Sequence, residues 1–169
     1  MADVAPAPAT AAVHVFAWDE IMVLTRLLAD RVRHTPIDCI AGIARSGLIP
    51  AVILSHMLNV RNFAVLDIAR TLSDDIGALK RDPVRAPVDL AALCGKKVLV
   101  VDDIVGQGLT VDMARDMMLG VGADATFATL VVNQDNLSGR NPRDVVDHWA
   151  CTVHGWVVFP WEDKDMGSA

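Results

Sequence analysis

The sequence predicts an α/β fold with a five-stranded parallel sheet and helices on both faces. Short apolar runs without alternation recur along the chain, as expected for parallel strands buried on both faces. Segments with apolar residues three and four positions apart separate these runs, which is the pattern of amphipathic helices. The chain has 169 residues, enough for one domain but not for a second catalytic domain. This alternation of strands and helices favours a sheet covered on both sides.

Eight elements follow from these patterns. Helical spacing predicts three helices, at 18–33, 48–58 and 110–119. Continuous apolar runs predict strands at 37–43, 62–68, 97–101 and 126–132, with a fifth inside 149–159. The segment 69–88 is charged, contains two prolines and has no sustained period, so we expect a long mobile loop there, of a length that is usually functional or disordered.

Composition restricts the classes of function. The formal charge is −6, which disfavours nonspecific binding to nucleic acid. No apolar run approaches the roughly 18 residues of a membrane span, so we expect neither an integral membrane protein nor a nucleic-acid-binding one. We expect a flexible tail at 1–14 without the features of a signal peptide, a domain at 15–163 and a second tail at 164–169. A cytoplasmic location follows.

The apolar content and the cysteines lead to two further expectations. Hydrophobic residues make up 53% of the chain, which suits a subunit interface, so we expect a homodimer or homotetramer. Cys39, Cys94 and Cys151 are far apart in apolar surroundings, and we expect buried free thiols.

The string VVDDIVGQGLT, residues 100–110, carries the clearest chemistry. An apolar strand ends in Asp102 and Asp103, and a glycine-bearing turn leads into a helix that we expect to begin at Thr110. Ligands bind beyond the carboxyl ends of parallel strands, where the N–H groups at a helix start attract phosphate. Gly106 and Gly108 allow the main chain to approach such an anion. The carboxylates suit ribose hydroxyls or Mg²⁺, although an acidic pair alone is equally typical of a solvated strand end.

Residues 98–110 as a whole resemble the signature of the type I phosphoribosyltransferases, and the chain is most similar to the members for hypoxanthine, xanthine and guanine. The resemblance implies a parallel sheet with a small hood, and a substrate 5-phosphoribosyl 1-pyrophosphate (PRPP) bound with Mg²⁺. It implies that Asp102 and Asp103 hold the ribose and the metal and, with Arg45, form the catalytic set. The implied loop for the 5-phosphate consists of Gly106, Gln107, Gly108, Leu109 and Thr110.

Two other segments carry the same resemblance. AGIARSGLIPA, residues 41–51, resembles the pyrophosphate loop, which implies that pyrophosphate is bound by Ala44, Arg45, Ser46 and Gly47. WVVFPWE, residues 156–162, resembles the C-terminal segment of the purine enzymes. It implies that Trp156 stacks on the base, that Trp161 is core or interface and that Glu162 reaches the metal or the substrate. Lys80, Arg81 and Arg85 either close over pyrophosphate or form a solvated charged run.

The half of the implied site that reads the base departs from the family pattern. Gly106 stands where purine-specific relatives carry an aspartate for the proton at purine N7, and Asn133 stands where they carry a lysine for the exocyclic oxygen. An asparagine offers both a donor and an acceptor, so we expect Asn133 to bind the base by accepting from an amino group or by reading a different heterocycle. We therefore keep three hypotheses: transfer to an oxopurine base, transfer to a nonpurine heterocycle or amine, and a noncatalytic PRPP-binding regulatory protein. If the acceptor is a purine, Gly106→Asp is expected to raise activity.

Overall fold

A computed structural model describes residues 12–71, 80–85 and 90–162 of the chain. The expectations for residues 1–11, for residues 163–169, for the parts of the predicted 69–88 loop at 72–79 and 86–88, and for the side chains of Lys80, Arg81 and Arg85 fall outside what it describes. The helices and strands are β1 Val13–Val15, α1 Trp18–Val32, β2 Cys39–Ala44, α2 Leu48–Met57, β3 Phe63–Thr71, β4 Lys80–Arg85, β5 Lys97–Val105, α3 Leu109–Gly120, β6 Asp124–Asn133, β7 His148–Val153 and β8 Trp156–Val158.

The main sheet has the strand order β4-β3-β2-β5-β6-β7. Five of these strands are parallel to their neighbours, and β4 pairs antiparallel with β3 at one edge. The predicted five-stranded parallel sheet is therefore confirmed, with one additional antiparallel strand. A separate parallel pair joins β1 to β8, so Val13 and His14, which the sequence assigns to the tail, pair with Trp156 and Val157.

The two faces of the sheet are filled by alternate residues of the same strands. Val98 and Val100 of β5 belong to the core beneath α3, whereas Leu99 and Val101 belong to the core beneath α1 and α2. This alternation follows from the period of two in a β-strand. Helices cover both faces, as predicted.

The order of the strands creates a crevice at one end of the sheet. After β2 the chain adds β3 on one side, and β5 then pairs with β2 on the other side. The connections diverge at the carboxyl ends of β2 and β5. Such a switch point is where ligands bind in open parallel sheets.

Three sequence predictions need correction. Residues 80–85 form β4 instead of belonging to a loop, because backbone pairing with β3 stabilises a segment that has no apolar period. The predicted fifth strand is two strands, β7 in the main sheet and β8 against β1, because Gly155 with a φ of 88° turns the chain between them. Cys94 is exposed, while Cys39 is buried and Cys151 is half-buried, and all three are free thiols.

Candidate active site

The turn after β2 and the acidic pair of β5 meet at the switch point. A Cβ atom at Gly47 would lie 2.7 Å from the Ile43 carbonyl oxygen, 2.8 Å from the Val101 carbonyl oxygen and 2.9 Å from the Asp102 Cα. Only a glycine fits this closely against the end of β5. Gly47 therefore holds the predicted pyrophosphate turn, with the exposed Arg45, beside the predicted ribose-binding acids.

The environment of Asp102 and Asp103 disfavours the charged forms of both carboxyl groups. Burial raises the pKa of Asp102 to about 6, and the hydrogen bonds it accepts from Asp103 oppose the rise. Burial raises the pKa of Asp103 well above its usual range, and the nearby negative charge of Asp102 raises it further. The Asp103 N–H donates to Asp102 Oδ1 at 3.0 Å, and the Ile104 N–H donates to Asp103 Oδ1 at 2.8 Å. A backbone hydrogen bond thus orients each of the two carboxyl groups.

This pair fits a divalent cation chemically. Carboxylate oxygens are the ligands that Mg²⁺ prefers, and it usually takes only one or two from the protein with the rest from water and substrate. Among the residues that the structure describes, no group of three or more His, Cys, Asp or Glu side chains is placed to hold a metal ion. A cation at Asp102 and Asp103 would therefore need oxygens from a ligand or from water.

The turn after β5 presents backbone N–H groups. Gly108 has a φ of 86° and precedes α3, which begins at Leu109, one residue before the predicted Thr110. A Cβ atom at Gly108 would lie 2.6 Å from Val145 Cγ1, so both conformation and space require glycine. The first N–H groups of a helix have no partner within the helix, so they are available to an anion.

Arg140 supports this turn, and the sequence analysis did not identify it. Its Nη1 donates to the Gln107 carbonyl oxygen at 3.1 Å and to Asp112 Oδ2 at 2.9 Å. Asp112 lies in the first turn of α3, where its charge would repel a phosphate. The Arg140 guanidinium offsets that charge. No local pattern in the sequence marks Arg140, because its partners are about 30 residues away.

The C-terminal segment reaches the acidic pair from another side. Glu162 Oε2 accepts from the Phe159 N–H at 2.9 Å, and its charge contributes to the raised pKa of Asp103. Trp161 is half-buried and packs against the core, where its ring stacks on Phe159 with centroids 4.6 Å apart. Trp156 is half-buried in β8.

Asn133 and Asp135 hold the turn that precedes Trp156. Asn133, which is 4% exposed, donates from Nδ2 to the Gly155 carbonyl oxygen at 2.7 Å and accepts from the Asp135 N–H at 3.2 Å. Asp135 accepts from the Gly155 N–H at 2.7 Å and lies 2.7 Å from His154 Nδ1. Both polar atoms of Asn133, the side chain expected to read the base, are thus bonded to the backbone around Trp156.

Among the described residues, none of the helices combines the length and the apolar character needed to cross a membrane.

Comparison with known proteins agrees with the fold. A family model described as a phosphoribosyl transferase domain matches residues 17–164. The chain is 30% identical over 163 residues to a xanthine-guanine phosphoribosyltransferase of Gluconobacter oxydans, covering 94% of this chain and 90% of that protein. It is 31% identical over 152 residues to the enzyme of the same name from Idiomarina loihiensis, covering 86% and 84%. The solved purine phosphoribosyltransferase of Pyrococcus horikoshii has a TM-score of 0.73 and 29% identity, covering 89% of this chain and 94% of that one.

Proposed function

This chain belongs to the phosphoribosyltransferase family, and we propose that it transfers the 5-phosphoribosyl group from PRPP to an oxopurine base such as hypoxanthine, xanthine or guanine, with release of pyrophosphate. The observation that carries the proposal is the contact of Gly47 with the end of β5. This contact puts a turn suited to pyrophosphate beside a carboxylate pair suited to ribose. The names of the curated relatives favour a purine acceptor.

The phosphoribosyl group occupies the strand ends. Its 5-phosphate lies against the N–H groups of residues 106–110, where the positive end of the α3 dipole and the Thr110 hydroxyl stabilise the anion. Asp102 and Asp103 accept hydrogen bonds from the ribose hydroxyls. Asp102 and Asp103 would also hold Mg²⁺, which would supply positive charge to offset that of the pyrophosphate and of the carboxylate pair.

The pyrophosphate lies against the turn of Ala44, Arg45, Ser46 and Gly47. The Arg45 guanidinium offers a fork of donors that matches phosphate oxygens, and the Ser46 hydroxyl donates to another oxygen. As the bond between C1 of the ribose and the pyrophosphate oxygen breaks, negative charge accumulates on the leaving group. Groups already oriented toward that charge lower the barrier.

The acceptor lies against Trp156. An indole ring provides a large apolar surface at a small cost in conformational entropy, so it holds a flat base with its ring nitrogen facing C1. That nitrogen forms the new bond as pyrophosphate departs. Positioning of the two reactants supplies much of the rate enhancement in a reaction of this kind.

A nonpurine acceptor is the second candidate. It is favoured by Gly106, which has no side chain to take a proton, and by Asn133, whose side chain is already bonded to the backbone. An acceptor that loses its proton before binding, or one that carries a free amine, needs no base from the protein.

The test is pyrophosphate release from PRPP and Mg²⁺ with hypoxanthine, xanthine, guanine, adenine, orotate and uracil. We expect turnover with at least one oxopurine, and loss of PRPP binding when Asp102 and Asp103 are both replaced by alanine. Turnover with only a nonpurine would support the second candidate. Saturable PRPP binding without turnover on any base would contradict both candidates, and unchanged PRPP affinity in the double variant would contradict the assignment of the site.

Two further properties are part of the proposal. The enzyme works in the cytoplasm, and it forms a homodimer or homotetramer. Exposed apolar side chains on β3, Phe63 and Val65, support an interface. Light scattering coupled to size-exclusion chromatography measures the subunit number directly, and a monomer at all concentrations would contradict this part.

A further inference from the structure

Asn136 occupies the space above Gly106. A Cβ atom at Gly106 would lie 2.8 Å from the Asn136 Cβ and 3.7 Å from its Cγ and Nδ2 atoms. The first of these distances is too short for two carbon atoms, and the conflict is with the stem of the side chain and not with its mobile end. No side chain therefore fits at residue 106 while Asn136 keeps this position.

The carboxamide of Asn136 is available to a ligand. Asn136 is exposed, and its side chain forms no hydrogen bond with the described parts of the chain. It stands over the first residue of the turn that follows the acidic pair. A carboxamide offers two donors on nitrogen and an acceptor on oxygen, so it suits the polar edge of a heterocycle.

The turn that carries Asn136 is fixed on both sides. Asn133 accepts from the Asp135 N–H and begins the short 3₁₀ turn Gln134–Asn136. Asp135, the neighbour of Asn136, accepts from the Gly155 N–H, which directly precedes Trp156. Asn136 is thereby held between the turn of residues 106–110 and β8, the strand that carries Trp156.

We propose that Asn136 hydrogen-bonds to the polar edge of the acceptor heterocycle and determines which acceptor is used, replacing a side chain that Gly106 lacks. The inference rests on the proposed function, because it places the acceptor against Trp156. A carboxamide donates and accepts hydrogen bonds without exchanging a proton near neutral pH. Asn136 therefore binds and orients the acceptor and does not deprotonate it.

The direct test is steady-state kinetics of Asn136→Ala with the best acceptor found for the unaltered chain. A lost hydrogen bond to a neutral ligand weakens binding by roughly 2- to 13-fold. We therefore expect the acceptor KM to rise by about 5- to 10-fold and the PRPP KM to stay within about twofold. Gln134→Ala is the matched control, because it removes a side-chain amide from the same 3₁₀ turn without uncovering Gly106. An acceptor KM in Asn136→Ala equal to that of Gln134→Ala would overturn the inference.

A second set of variants tests the contact itself and stays informative if one of them folds poorly. Gly106→Ala introduces the conflicting Cβ, so we expect a lower Tm and a raised acceptor KM. Adding Asn136→Gly removes the conflict, so Tm should recover while the acceptor KM stays high, because the carboxamide is absent. Recovery of the acceptor KM in the double variant, or an unaltered Tm in Gly106→Ala, would refute the proposed contact.

This geometry changes an earlier expectation. Gly106→Asp was expected to raise purine activity, but that expectation did not allow for Asn136. We now expect Gly106→Asp to lower activity unless Asn136 is also replaced by glycine. The proposed function fails if the unaltered chain has no turnover with any base, whereas the inference fails if that chain is active and Asn136→Ala leaves the acceptor KM unchanged.

Discussion

The negative charge of the acidic pair is predicted to lower the stability of the folded protein, although the same charge is proposed to bind the substrate. The pKa of Asp102 is raised from 3.8 to about 6, so the folded state disfavours the charged form. When the pKa of a carboxyl group is higher in the folded than in the unfolded state, the free energy of unfolding falls as the pH rises from the unfolded pKa to the folded pKa. A shift of about two units corresponds to about 3 kcal/mol at about 1.4 kcal/mol per unit. This is an upper figure, because Asp102 is only half-buried.

Asp102→Asn removes this charge and keeps an oxygen for the Asp103 N–H. We expect the free energy of unfolding to match that of the unaltered protein near pH 4 and to exceed it by about 2 to 3 kcal/mol at pH 7.5. This corresponds to a Tm higher by roughly 5 to 10 °C for a chain of this size. The same variant should lose pyrophosphate release, since it lacks the carboxylate that we propose to bind ribose and metal.

Circular dichroism melts from pH 4 to pH 8, with a chelator and without phosphate, measure the effect. Asp116→Asn, on the exposed side of α3, is the control for the change in net charge. A difference in Tm between Asp102→Asn and the unaltered protein that stays constant with pH would refute the reasoning, as would an Asp102→Asn variant that is less stable at pH 7.5.

Other variants test the supports of the site. Gly47→Ala puts a Cβ 2.7 Å from the Ile43 carbonyl oxygen, so we expect thermal melts to show a loss of about 1 to 3 kcal/mol in stability. Steady-state kinetics should show a raised PRPP KM, and an unchanged PRPP KM would contradict the role of this contact. Arg140→Met leaves the Asp112 charge uncompensated beside the turn of residues 106–110, so the PRPP KM should rise. Adding Asp112→Asn should lower the PRPP KM again, and a PRPP KM that stays high would count against charge as the cause. Trp156→Ala should raise the acceptor KM by about 10-fold, whereas Trp156→Phe should keep most of the affinity for the acceptor. An equal rise of the acceptor KM in the two variants would rule out stacking.

Local patterns were sufficient to predict the class of fold and to propose which residues form the phosphoribosyl half of the site. Continuous apolar runs such as 97–101 report burial on both faces of a sheet, because burial selects side chains residue by residue. The acids and glycines at the end of β5 lie within nine residues of one another, so their shared chemistry is visible in the sequence. The family and the sheet predicted from these patterns are confirmed, and the individual site residues stay predictions.

Local sequence patterns gave a wrong prediction where a strand is defined by its backbone pairing and has no apolar period. The segment 80–85 has no apolar period, yet it forms β4, because hydrogen bonds to β3 do not depend on which side chains are present. The exposure of Cys94 follows similarly from its position in a turn after a short 3₁₀ helix, and not from the apolar residues around it.

The contacts between distant segments were decided only in three dimensions. Gly47 touches β5 across about 55 residues, Arg140 reaches back to Gln107, and Asn136 covers Gly106. Apolar periodicity shows that a residue is buried but not against what, since the partner depends on the order of the strands and on the path of the loops. The contact of Asn136, the residue that we propose to read the base, is of this kind. Which side chain fills the space above Gly106 is set by the fold, and nothing beside Gly106 in the sequence indicates it.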